Sequence, residues 1–199
     1  MKFNSKLCFL LLGAFVSVSS TVYAGVFNIP HFIEPGKFSL GVEPELTFSN
    51  GAGLGVNFKF TQGASDLINF QGIIGTGGGP RQFRVGGSAN FDFFPDTEGQ
   101  PGIGLATRAI WYQLPNNGQL EIQAIPYIHK TFHSAGSAIE PFLAIPIGYA
   151  FATGNYLPIS SIAIGSFFKQ SEVISYVAEL AVNINNSEST FSGGIVWQP

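Results

Sequence analysis

Cysteine is almost missing from this chain. Its one example, Cys8, lies in a leader segment, so residues 25–199 offer no thiol for a disulfide, a thiolate metal site or a cysteine nucleophile. Charge is scarce as well. Asp, Glu, Lys and Arg make up 11% of the residues, where a soluble domain carries roughly a quarter. Such a composition suits neither a disordered polyelectrolyte nor an ordinary soluble surface. The small balance is acidic, with 9 Lys and Arg against 12 Asp and Glu, which disfavours a nucleic-acid partner. Beyond the leader no apolar run is long and unbroken enough for a spanning helix, and no helical period of useful length appears. Metal-ligand spacing is absent, and Gly75–Pro80 lacks the Gly-Lys-Ser/Thr ending of a phosphate loop. No cofactor is expected.

The leader reads plainly. Lys2 and Lys6 form a positive n-region, Cys8 to Val18 an apolar h-region, and Val22-Tyr23-Ala24 a small-x-small cleavage site. Residues 1–24 are therefore expected to be a signal peptide, with Gly25 opening a single mature domain, 25–199. Removing Lys2 and Lys6 lowers the basic count from 9 to 7 against 12 acids, a formal charge of -5.

Phe and Gly are abundant, at 20 and 25 residues, and they are placed with a period of two. In Lys37–Phe48, Phe38, Leu40, Val42, Leu46 and Phe48 share one parity, while Lys37, Ser39, Glu43, Glu45 and Thr47 share the other. Strand side chains alternate between faces, so one face is greasy and the other polar. The same beat recurs in Leu54–Thr61, Asp66–Ile74, Gln82–Phe93, Ile103–Gln113, Leu120–Lys130, Ile139–Phe151, Val173–Ile184 and Thr190–Gln198. Tyr156–Phe168 is ambiguous, with apolar residues on both parities. That makes ten runs, an even number, each near the length of a tilted membrane strand. The pattern predicts an all-β, closed antiparallel transmembrane barrel, apolar face to lipid and polar face to a lumen, with ten strands preferred and eight as the alternative. Pro44, Pro126, Pro146 and Pro158 fall inside runs and are expected at bulges or a rim.

Two stretches carry a family resemblance. Glu140-Pro141-Phe142-Leu143-Ala144-Ile145-Pro146-Ile147-Gly148-Tyr149 looks like a strand of the small outer-membrane β-barrel proteins of Gram-negative bacteria. Phe191 to Pro199 resembles their closing strand, with Trp197 standing near the terminus in place of a final aromatic. The resemblance implies location in the bacterial outer membrane, with membrane lipid and, through the C-terminal strand, the barrel-assembly machinery as partners. It implies no particular activity.

The candidate site is the inward polar face. Glu43, Glu45, Lys59, Arg84, Asp92, Arg108, Glu121 and Glu179 all take the polar parity. In a narrow barrel they must find counter-charges and hydrogen bonds. Two readings follow, a salt-bridged plug or the lining of a pore for small solutes, with Arg84 and Arg108 set against Glu43 and Glu45. An alternative is a hydrolase acting on lipid or peptide through His129, which takes the lumen parity, or His133, which clusters with Ser134, Ser137 and Glu140. A third is an adhesion or partner-binding barrel, which the short connections disfavour.

Overall fold

The structure is a computed structural model that describes residues 33–49, 52–77, 81–134, 137–152 and 154–199. The expected signal peptide lies outside the described residues. Among the described residues twelve strands form: β1 (Phe38–Thr47), β2 (Gly53–Ser65), β3 (Ile68–Gly77), β4 (Phe83–Phe94), β5 (Gly102–Gln113), β6 (Gly118–His129), β7 (Phe132–Ser134), β8 (Ser137–Ala144), β9 (Ile147–Ala152), β10 (Asn155–Lys169), β11 (Ile174–Asn185) and β12 (Thr190–Trp197). All pairings are antiparallel. β1 to β6 run as a meander, β10 pairs with β11, and β12 returns to β1, which closes the sheet on itself.

The closed wall has ten staves, because β8 and β9 are two halves of one. β6 pairs with β9 from Gln119↔Ala152 to Ala124↔Ile147 and with β8 from Tyr127↔Ala144 to His129↔Phe142, in one continuous register. The interruption between them has a chemical cause. Pro126 stands opposite Ile145, and Pro146 opposite Ile125 and Ser161, and a proline has no N–H to give to the ladder. Ile145 N–H still donates to Pro126 O and Ser161 N–H to Pro146 O, both at 3.0 Å, but neither proline returns the bond. The expectation that each proline marks a bulge or rim is corrected here. Pro126 keeps register with Leu105, and Pro44 keeps register with Val56 while its ladder to β12 skips Glu43 and Pro44. Pro146 does face Ser161 at the bulge between Ser160 and Ser161, and Pro158 lies two residues from it.

The faces are inverted relative to a soluble barrel. Leu40, Val42, Leu46, Phe58, Phe60, Ile122, Leu180 and Ile195 are exposed, whereas Glu43 and Glu45 are 1% exposed. Arg81, Arg84, Glu121, Glu179 and Glu188 are among the largest fully buried side chains. A water-facing exterior of this kind would carry an unfavourable free energy of roughly 25 cal/mol for each Å² of apolar area, so the exterior is the lipid-facing side. Exposed aromatics crowd both ends of the wall: Phe38, Phe93, Phe94, Phe132, Tyr176 and Trp197 at the end where β1 begins and β12 finishes, and Phe48, Trp111, Phe151 and Tyr156 at the far end. These are the positions of interfacial girdles.

The interior is not polar throughout. Ile125, Phe142, Ala163, Phe167 and Val177 form a buried apolar cluster on the β6–β12 side, with Phe142 and Phe167 rings 6.1 Å apart. This explains the ambiguous Tyr156–Phe168 run. Ala163 and Phe167 point inward into that cluster and Ile159 points inward against Ala150, while Ile162, Ile164 and Phe168 point outward.

Candidate functional site: the charged lumen

Alternation on each strand delivers the inward charges, and the register sets which of them meet. At the far end, Glu45 on β1 is the hub. Arg84 on β4 grips it with two nitrogens, Nη1 at 2.7 Å from Oε2 and Nη2 at 3.2 Å from Oε1. Asn57 on β2 donates to Oε2 at 3.0 Å and Thr47 to Oε1 at 3.3 Å. Arg81 joins from the connection before β4, donating to Glu45 Oε1 and Thr47 Oγ1, each at 3.1 Å. Its third partner is Glu188, from the connection between β11 and β12. The Arg81 and Arg84 guanidinium carbons stand 5.4 and 5.8 Å from the centroid of the Tyr112 ring, within cation–π range. Beside them Gln119 donates to Glu121 Oε1 at 2.9 Å.

Midway down, Lys59 faces Glu43 at 2.5 Å, an ion pair not aligned as a hydrogen bond. Arg108 Nε donates to Gln123 Oε1 at 3.1 Å. Glu179 is 2% exposed on β11. Of the pairing expected from sequence, Arg84 with Glu45 forms; Arg108 hydrogen-bonds the neutral Gln123, and Glu43 pairs with Lys59.

Toward the end where β1 begins, His129 lies between two carboxylates. Its Nδ1 is 2.7 Å from Glu140 Oε1, and its Nε2 is 3.6 Å from Asp92 Oδ1. Room for it comes from Gly102, its register partner on β5, where a Cβ would stand 2.1 Å from His129 Nε2. Gly104 does the same for Tyr127, whose hydroxyl crosses to Phe91 O at 3.1 Å. The set imagined around His133 does not assemble. His133 is exposed and pairs with Ala138, while Glu140 turns into the lumen to meet His129. At the rim, Asp96 accepts from Lys130 Nζ at 2.8 Å and from Thr131 N–H at 2.6 Å. Partial burial pushes its carboxyl up, but these hydrogen bonds and the Lys130 charge outweigh it, and it is held below the usual carboxylate range.

Sequence reasoning missed Arg81 and Glu188, because connections have no parity to read. The stretch Gly78-Gly79-Pro80-Arg81 held the only signal, a lone cation in an otherwise uncharged turn. Among the described residues the buried lumen holds seven carboxylates (Glu43, Glu45, Asp92, Glu121, Glu140, Glu179, Glu188) against four permanent cations (Lys59, Arg81, Arg84, Arg108). No group of three or more metal-ligating side chains among the described residues has the geometry to hold an ion.

No protein-family model matches the chain, and no curated protein does. Solved structures resemble it in shape. A de novo designed transmembrane β-barrel is 12% identical, with 85% of this chain and 100% of that one covered at a TM-score of 0.43. A second designed barrel, solved by NMR in solution, is 14% identical, with 83% and 95% covered at a TM-score of 0.39. An outer membrane channel from Pseudomonas putida F1 is 8% identical, with 92% and 100% covered at a TM-score of 0.48.

Proposed function

We propose that this chain is an exported outer-membrane barrel whose resting lumen is sealed by a charged side-chain network, so that small solutes pass only when the network rearranges. The observation that carries the reading is the burial of the lining. Glu43, Glu45, Arg81, Arg84, Glu121 and Glu179 are each at most 2% accessible to a water-sized sphere, whereas the walls of an open aqueous pore remain wet. Closed charge networks of this kind lock strands in register, because removing one partner leaves the other buried and uncompensated. The leader supports export, and the closing strand Thr190–Trp197 supports recognition by the assembly machinery.

The test is reconstitution of residues 25–199 into planar bilayers and liposomes. The reading expects a folded, heat-modifiable protein in the membrane fraction that is closed for nearly all of a recording. A steady open current through the unmodified protein would overturn the seal. Recovery of the exported protein in the detergent-free periplasmic fraction would overturn the location.

A further inference from the structure

The parts of the far-end seal are anchored differently from one another. Glu45, Arg84 and Glu121 stand on the wall, in β1, β4 and β6. Arg81 and Glu188 hang from two connections, β3–β4 and β11–β12, with β1 and β2 between them, and each side chain is 1% exposed. They bind one another, and Arg81 alone reaches on to the Glu45 hub. A side chain on a strand cannot leave the lumen without breaking the ladder, whereas one on a connection can.

The wall that would remain is unbalanced. Without Arg81 and Glu188 the described lumen keeps six carboxylates against three permanent cations. Glu121 Oε2 is buried with no hydrogen-bond partner among the described residues, an acceptor directed at the lumen from the wall itself. A narrow, low-dielectric passage lined by one sign of charge concentrates the opposite ion and repels its own.

We propose that Arg81 and Glu188 form a latch across the far end of the lumen, and that the passage freed by its release carries small inorganic cations in preference to anions. This rests on the sealed-lumen reading and names both the moving part and the solute class. Losing one partner of a buried ion pair shifts the balance between closed and open forms by at least about a hundredfold.

Planar-bilayer recordings in a KCl gradient test it, on wild type, Arg81→Ala and the milder Glu188→Gln, each first shown to be folded by heat-modifiable gel mobility and far-UV circular dichroism. The expected result is a closed wild type and variants whose open probability rises by at least about a hundredfold, with a reversal potential displaced toward that of potassium. If a folded variant stays as closed as wild type, the latch is wrong while the seal stands. Current reversing toward the chloride potential overturns the cation assignment. Steady wild-type current overturns the seal and the latch with it. Should Arg81→Ala fail to fold, Glu188→Gln alone decides, since it keeps the side-chain volume and removes only the charge.

Discussion

Glu45 shows how much a single carboxylate can organise. It accepts from Arg81, Arg84, Asn57 and Thr47, and its removal would leave two guanidinium groups buried beside Tyr112 without their shared counter-charge. Glu45→Ala is expected to lower stability by about 3–5 kcal/mol, read from urea unfolding in lipid, whereas Glu43→Ala should disturb chiefly Lys59. Asp96 offers a pH test at the rim. Its folded carboxyl is held below the usual range by Lys130 and Thr131, so its contribution is complete above the unfolded value near 4 and is lost as pH falls through the lower folded value. Hydrogen exchange in the β4–β5 connection should therefore accelerate only in that acidic window, and Asp96→Asn should abolish the dependence. Residue parity was legible in the sequence, since a period of two assigns a face to Glu43, Glu45 and Lys59 without coordinates. Partner choice was not. That Arg108 meets the neutral Gln123 could not be read, because heights around a tilted wall depend on register, which the pattern does not encode.

At the scale of elements, the ten staves follow from ten alternating runs, and the one divided stave follows from two prolines. Ile139–Phe151 read as one strand from sequence and is one stave in space. Its ladder is notched because Pro146 lies within it and Pro126 faces it, both without N–H groups. In hydrocarbon an unmatched backbone carbonyl is costly, so Pro126→Val, which restores an N–H toward Ile145 and keeps an outward apolar side chain, should stabilise the barrel by about 1 kcal/mol. A higher urea midpoint checks this, and a lower one would mean that the proline's fixed backbone angle matters more than the missing bond. Connections were the illegible part. Arg81 and Glu188 turn into the lumen for electrostatic reasons that span 107 positions of sequence. The short β7, which pairs with the start of β8, also lies between two of the runs read from sequence.

At the scale of the whole molecule, the fold is decided by which solvent meets which face. The apolar sector around Phe142 and Phe167 shows that the interior is not simply the polar face of each strand. The exterior is uniform by comparison, and the residues that alternate with it place charge inside. The absence of cysteine from residues 25–199 allows this to be measured directly. Single cysteines at Phe58 and at its neighbour Asn57, on opposite faces of β2, can be spin-labelled in liposomes and compared for collision with oxygen, which partitions into hydrocarbon, and with a polar nickel chelate. The account predicts that the label at 58 meets oxygen freely and the chelate hardly at all, while the label at 57 is shielded from both. A label at 58 that is open to the chelate, or one at 57 that meets oxygen as readily as 58, would contradict it.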